Sequence, residues 1–309
     1  MRLSNEYDVL IIGGGPAGLA AGLYAGRSML KTRLFEKELI GGQASITDII
    51  ENYPGFPEGI TGFELAEKMR EQAQKFDVEL DMNEVTSVDL IGALKKVTTP
   101  DGEYTAKAII IASGVRPTKL DVPGAAALTG RGISYCATCD GPFFRDKRVM
   151  VIGGGNSAVE EAIYLTKFAS KVTIVHRRDQ LRAEKIVQDR AFKNEKVDFL
   201  LDSVLSGVSG ENSVSAVTVK NVKTGEEKEV GVEGIFVFVG NIPNTELFTG
   251  ALDMDEVGYV ITDDALMASI PGIFAAGDVR KNNLKQVVWA AAEGALAAVS
   301  AEKFIETQG

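Results

Sequence analysis

The chain has 309 residues, with 33 Lys plus Arg against 43 Asp plus Glu, a formal charge of −10. That length excludes a mini-protein and admits two domains with their own cores, while the acidic balance excludes a general nucleic-acid binder. Hydrophobic residues at 45% and charged ones at 25% describe a soluble globular chain, not a disordered one, and no run approaches a membrane span.

The chain enters a strand-like run soon after Met1 with no small-residue cleavage site, so no secretory leader is expected and the default location is cytoplasmic. Asp8-Val9-Leu10-Ile11-Ile12 reads as a buried strand. It flows into Gly13-Gly14-Gly15-Pro16-Ala17-Gly18, after which Ala and Leu continue at helical spacing to Met29. In G-x-G-x-x-G the glycines permit a tight turn and let backbone amides approach a pyrophosphate at the helix N-terminus. The next strand, Thr32-Arg33-Leu34-Phe35, ends at Glu36, about 20 residues past the turn, the usual interval to a ribose-binding carboxylate. The plain alternative is an ordinary βα turn with a surface Glu.

An apolar strand, Ile109-Ile110-Ile111, then ends in Gly114-Val115-Arg116-Pro117, and much later Ile235-Phe236-Val237-Phe238-Val239 ends in Gly240-Asn241-Ile242-Pro243. These two Gly-x-x-Pro segments read as crossings between domains, because Pro stops a ladder and Gly relieves the turn. Residues 118–243 then form an insertion, and residues 1–117 and 244–309 form the interrupted domain, completed by Ile273-Phe274-Ala275-Ala276-Gly277-Asp278 and a terminal helix from about Lys285 to Ile305. The predicted fold is α/β: two Rossmann-like, three-layer dinucleotide-binding domains, the second inserted into the first.

Within the insertion, Arg148-Val149-Met150-Val151-Ile152 and Gly153-Gly154-Gly155-Asn156-Ser157-Ala158 repeat the first motif, with a helix to about Ala169. Its second strand, Lys171 to Val175, ends not in an acid but in His176-Arg177-Arg178, with Arg182 one helical turn beyond. A carboxylate there would repel a 2′-phosphate, whereas guanidinium groups grip it, so NADP is expected over NAD. A solvated basic surface is the alternative.

The only cysteines lie in Cys136-Ala137-Thr138-Cys139-Asp140-Gly141, just before that second turn. Such a pair closes a small redox disulfide in which one thiolate attacks a partner and the other resolves the mixed disulfide. A zinc site would need further ligands, and with no other cysteine and one histidine no metal is expected. Two inert buried thiols are the other alternative. Asp140 is either a cap or an acid beside a departing thiolate.

The series GGGPAG, Gly41-Gly42-Gln43, Glu51-Asn52-Tyr53-Pro54-Gly55, CATCDG, GGGNSA, HRRDQLRA and AAGD, in this order and nearly end to end, resembles the low-molecular-weight thioredoxin reductases. The resemblance implies FAD in the interrupted domain, NADPH in the inserted one, a homodimer, and thioredoxin or a thioredoxin-like protein as disulfide substrate, with no nucleic acid or membrane partner. By resemblance, FAD falls to Gly13, Gly15, Pro16, Ala17, Glu36, Gly42, Gln43, Asn52, Gly277, Asp278, Lys285, Gln286 and Val287. NADPH falls to Gly153, Gly155, Asn156, Ser157, Ala158, His176, Arg177, Arg178 and Arg182. Cys139 is then the thiol nearest the flavin, Cys136 the one that attacks the partner, and Asp140 the proton donor or acceptor.

Two positions depart from the family pattern. Lys285 stands where Arg usually precedes Gln, keeping the charge and losing the planar fork, and Trp289 replaces a small or hydroxyl residue. One rigid arrangement cannot bring dithiol and nicotinamide in turn to one flavin and also expose the dithiol to a protein, so rotation of the inserted domain about its crossings is expected. The rival readings keep the scaffold and change the donor to ferredoxin or NADH. Phe143 and Phe144 present either a docking surface or core packing, and Arg131 a steering charge.

Overall fold

The computed structural model describes residues 5–282 and 284–308. Met1 to Ser4, on which the leader expectation rests, lie outside the described residues. The chain divides into two units, Met1–Arg116 with Ile242–Gly309, and Pro117–Asn241.

Strand β1 (Glu6–Ile12) leads through the first glycine turn into α1 (Pro16–Arg27) and β2 (Thr32–Phe35). There follow α2 (Gly42–Ser45), α3 (Gly62–Gln74), β3 (Glu79–Asp81), β4 (Ser87–Asp89), β5 (Lys95–Thr99) and β6 (Gly102–Ile111). The first crossing is β7 (Val115–Pro117). The second unit runs through α4 (Ala125–Leu128), β8 (Ile133–Ser134), α5 (Ala137–Asp140), β9 (Arg148–Ile152), α6 (Asn156–Leu165), β10 (Lys171–Val175), α7 (Lys185–Phe192) and β11 (Val197–Leu200). It ends with β12 (Ser203–Ser209), β13 (Ala216–Asn221), β14 (Glu227–Gly231) and β15 (Gly234–Val237); β16 (Asn241–Pro243) is the return crossing, followed by β17 (Ile273–Ala275) and α8 (Val287–Gln308). The crossings β7 and β16 pair as a two-stranded sheet.

In the first unit the strand order is β3-β2-β1-β6-β5-β4, with β17 also on β6. The ten-residue β6 serves two partners on one side: its first half is antiparallel to β5, and its last residues are parallel to β17. Along β1, Val9 and Ile11 enter one core while Leu10 and Ile12 enter the other, the period-2 pattern of a strand covered on both faces. Helices α1, α3 and α8 supply the first core; Phe248, Leu252 and Val260 close the second.

The second unit repeats this logic on a parallel sheet of order β11-β10-β9-β15-β8. Val149 and Val151 face α6 and α7, and Met150 and Ile152 face the antiparallel meander β12-β13-β14. Among the described residues no helix is long and apolar enough to cross a membrane.

Helix ends differ from the periodicity for local reasons. Helix α1 stops at Arg27 because Met29 adopts φ +58° and Leu30 N–H donates to the Ala25 carbonyl, a left-handed closure. Helix α8 starts after Lys285 because its first i→i−4 bond joins Ala290 N–H to the Gln286 carbonyl.

Helix α8 packs on α1 through small residues. A Cβ added at Gly294 would lie 2.0 Å from the Ala17 carbonyl oxygen. Gly to Ala inside a helix ordinarily gains about 1 kcal/mol, but overpacking against backbone costs up to about 3 kcal/mol, so the clash wins. Gly294→Ala is expected to lose about 2 kcal/mol and lower the thermal midpoint by roughly 4 °C, read by calorimetry; an unchanged or raised midpoint would contradict the packing.

Candidate functional site

The first glycine turn is built by close backbone approach. Gly13 has φ +111°, and a Cβ there would lie 2.3 Å from the Ala112 carbonyl oxygen; at Gly18 it would lie 1.9 Å from the Gly13 oxygen. Gly15 is different. It is the N-cap of α1, with no capping side chain and no acid in the first turn, and a Cβ there would meet only the Gly41 oxygen, at 4.0 Å. Pro16 opens the helix, where its missing N–H costs nothing. Open space beside amides at the positive end of a helix is what a pyrophosphate requires.

Other predicted residues gather round this turn. Gly14 N–H donates to Glu36 Oε2 at 2.8 Å, and Lys37 and Glu38 N–H donate to Oε1; the carboxylate keeps lone pairs for ribose hydroxyls. Gly41 N–H donates to the Gly14 carbonyl at 2.7 Å, which sets Gly42 beside Gly15. Gln43 is exposed on α2. Gly277 has φ +77°, and an added Cβ would lie 2.8 Å from Ala17 Cβ. Asn52 Nδ2 donates to Gln286 Oε1 at 2.9 Å, and Val287 packs on the Ile50–Ile60–Leu65 cluster. Lys285 Nζ donates to the carbonyls of Asp278, at 2.7 Å, and Arg280, at 3.1 Å, and stands 4.1 Å from the Tyr259 ring centre. The lysine therefore ties down backbone that a planar guanidinium would meet differently. Burial raises the Asp278 carboxyl above the usual range, opposed by Lys285.

In the second unit the third position of the motif is Ala158, whose Cβ lies 2.8 Å from where a Gly153 Cβ would stand. Gly155 caps α6 with nothing within 4 Å of an added Cβ, so this turn too leaves room for phosphate. Asn156 is already engaged: its Oδ1 accepts Glu184 N–H at 2.7 Å and its Nδ2 donates to Glu184 Oε1 at 3.0 Å. Ser157 is exposed.

Arg182 does not lie one helical turn past the strand. Residues 176–184 form an irregular bend, and α7 begins only at Lys185. The Gly154 carbonyl holds this bend in place by accepting both Arg182 N–H, at 2.6 Å, and Ala183 N–H, at 3.1 Å. Arg177, Arg178 and Arg182 are exposed, while Asp179, the acid among them, is drawn off by Lys223 at 3.2 Å. His176 is 5% exposed, its ring against Gly154, and its buried Nε2 has no hydrogen-bond partner. Burial, then Arg182, Arg178 and Arg177, hold its pKa below the usual histidine range. Three exposed guanidinium groups on this bend are a donor set suited to a phosphomonoester.

Cys136 and Cys139 form a disulfide with Cα atoms 5.4 Å apart. Cys136 is the N-cap of α5, and its Sγ accepts Cys139 N–H at 3.2 Å. Ser134 Oγ accepts Cys136 N–H at 3.1 Å. Cys136 is half-buried and Cys139 exposed. Asp140, half-buried, donates its N–H to the Cys136 carbonyl. The two phenylalanines that follow part company: Phe144 is core, 5.1 Å from Phe236, whereas Phe143 is 73% exposed. Arg131 is exposed.

Sequence reasoning missed Glu293, whose carboxylate accepts Gly277 N–H. The signal was an acid embedded in Ala290-Ala291-Ala292-Glu293-Gly294-Ala295 on an otherwise apolar helix.

The pyridine nucleotide-disulphide oxidoreductase model matches residues 7–294. Curated relatives include a thioredoxin reductase of Peptoclostridium acidaminophilum, 49% identical over 98% of both chains, and one of Bacillus subtilis, 48% identical over 99% of this chain and 97% of the relative. The crystal structure of Lactococcus lactis thioredoxin reductase in the FR conformation superposes with a TM-score of 0.95 at 49% identity, covering 97% of this chain and 99% of that one. The chain belongs to the pyridine nucleotide-disulphide oxidoreductase family, within its thioredoxin reductase group.

Proposed function

We propose that the protein is an NADPH-dependent thioredoxin-disulfide reductase, with FAD in the interrupted unit, NADPH in the inserted one, and thioredoxin or a thioredoxin-like protein as substrate. The observation that carries this reading is the Cys136–Cys139 disulfide, set in the same unit as an arginine-flanked nucleotide turn. The full-length relatives are named for the same activity. A homodimer in the cytoplasm, without nucleic-acid or membrane partners, completes the reading.

When bound, the two cofactors supply the electron pair that opens the Cys136–Cys139 bond. The chain's own residues do the rest. Cys136 Sγ already accepts the Cys139 amide hydrogen, and a thiolate is favoured where an amide points at it, which supports Cys136 as the attacking sulfur. It displaces one sulfur of the partner's disulfide and forms a mixed disulfide. Cys139 then attacks Cys136 Sγ, restoring the internal bond and releasing the partner's second thiolate. Asp140, next in sequence to Cys139, exchanges the proton. Glu36 and the Gly15 turn hold one dinucleotide, and Arg177, Arg178 and Arg182 grip the 2′-phosphate of the other. The chain passes between the units at the crossings β7 and β16, which supports the reading that the inserted unit rotates between its two tasks.

Adding NADPH to the FAD-loaded protein is expected to bleach the yellow flavin absorption, and oxidised thioredoxin to restore it. Bleaching by NADH or reduced ferredoxin in preference to NADPH, or no recovery with thioredoxin, would overturn the reading.

A further inference from the structure

Glu293 lies on the buried face of α8, 4% exposed, with Ala290 and Ala297. A carboxylate taken from water without partners is costly, and here four donors meet it. Oε2 accepts Gly277 N–H at 2.8 Å and Asn282 Nδ2 at 3.5 Å. Oε1 accepts Arg280 Nη1 at 2.5 Å and Trp289 Nε1 at 2.6 Å. Gly277 and Arg280 bracket Asp278, so one side chain of the last helix grips the turn on both sides of that acid. Lys285 holds the same turn through its carbonyls. Among the described residues no donor reaches the Asp278 carboxyl itself, so the backbone is committed and the side chain is left for a ligand.

Helix α8 also meets the first glycine turn. Gly294 touches the Ala17 carbonyl, and Gly277 lies against Ala17 Cβ. The carboxylate that fixes the Asp278 turn therefore sits one residue from the contact that fixes α8 on the pyrophosphate turn.

We infer that Glu293 is a positioning residue for the flavin nucleotide: through Gly277 and Arg280 it holds the Asp278 turn in the form that binds FAD, and Trp289 closes the fourth side of its carboxylate. The inference rests on the assignment of FAD to the first unit. It gives a role to Trp289, one of the two departures from the family pattern, as a donor to Glu293 and not as a ring against the cofactor.

The test uses the full chain, stripped of FAD and titrated with FAD while flavin fluorescence is followed. Glu293→Gln is close in shape but has one acceptor oxygen, so it cannot serve Gly277 and the Arg280–Trp289 pair together. It is expected to raise the Kd for FAD at least tenfold. The thermal midpoint of the FAD-free protein should fall as well, because Arg280 loses its buried partner, while after reconstitution at saturating FAD the KM for NADPH should stay within twofold. A merely structural role would lower the midpoint and leave the Kd unchanged. A Kd within twofold of the parent overturns the inference. Should Glu293→Gln not fold, Arg280→Gln, expected to weaken FAD about fivefold, decides by the same criterion. A parent chain that takes up no FAD would instead defeat the functional reading above.

Discussion

Cys136→Ser is expected to abolish thioredoxin reduction, by roughly 10⁴-fold or more, as removal of a nucleophile does elsewhere, while flavin reduction by NADPH stays within twofold of the parent. Serine fills the site and its Oγ still accepts the Cys139 amide hydrogen that Sγ accepts at 3.2 Å, so the cap of α5 survives and stability changes little. What is lost is the sulfur: no internal disulfide forms, and a hydroxyl does not displace a thiolate from the partner. Stopped-flow absorption separates the two halves of the reaction, because the flavin bleaches normally and then stays bleached when thioredoxin is added. The companion Cys139→Ser distinguishes the two sulfurs. With Cys136 left as nucleophile and no resolving thiol, it should accumulate a mixed disulfide with thioredoxin, visible on a non-reducing gel. Retention of more than a tenth of the parent's thioredoxin reduction in Cys136→Ser would remove the dithiol from the electron path.

The second large effect is on cofactor choice. Replacing Arg177 and Arg178 together by Ala should lower kcat/KM for NADPH by roughly 10²–10³-fold and leave that for NADH within twofold. Each charge-assisted hydrogen bond to a 2′-phosphate contributes about 1.5–3 kcal/mol, and the two are not fully additive because Arg182 remains beside them. Both side chains are exposed, so stability is expected to stay within about 0.5 kcal/mol. The bend itself is held by backbone, through the Gly154 carbonyl, and survives the double change. The loss should appear in KM, since the 2′-phosphate is remote from the reacting carbon and binds equally in ground and transition states. An equal loss with NADH would mean that the arginines shape the site without touching the phosphate.

Much of this was legible in the sequence because strand, glycine turn and helix are contiguous: Leu10 to Ala17 and Met150 to Ala158 each carry their own geometry. Glu36 was legible for the same reason, since parallel strands place the end of β2 beside the turn that follows β1. Arg182 was legible by type and not by conformation. The bend at 176–184 is set by two amide bonds to Gly154 from the preceding turn, and helical periodicity carries no trace of them. The fates of Phe143 and Phe144 were not separable either, because a short 3₁₀ turn, Gly141–Phe144, points one ring at Phe236 and its neighbour at water. Glu293 was missed because three of its four donors, Gly277, Arg280 and Asn282, lie more than ten residues upstream. A buried acid shows its meaning only when its donors are seen.

The interrupted arrangement of the first unit also sets an order of assembly. During synthesis a chain emerges from its N-terminus and units fold as they are completed. The inserted unit, Pro117–Asn241, is continuous and is finished first. The earlier segment must wait: β6 lacks its neighbour β17, and α1 lacks the cover of α8, until the last stretch leaves the ribosome. On the proposed assignment of cofactors, a nascent chain would complete its nicotinamide half before its flavin half, and a polypeptide cut short before Glu293 is expected to emerge colourless.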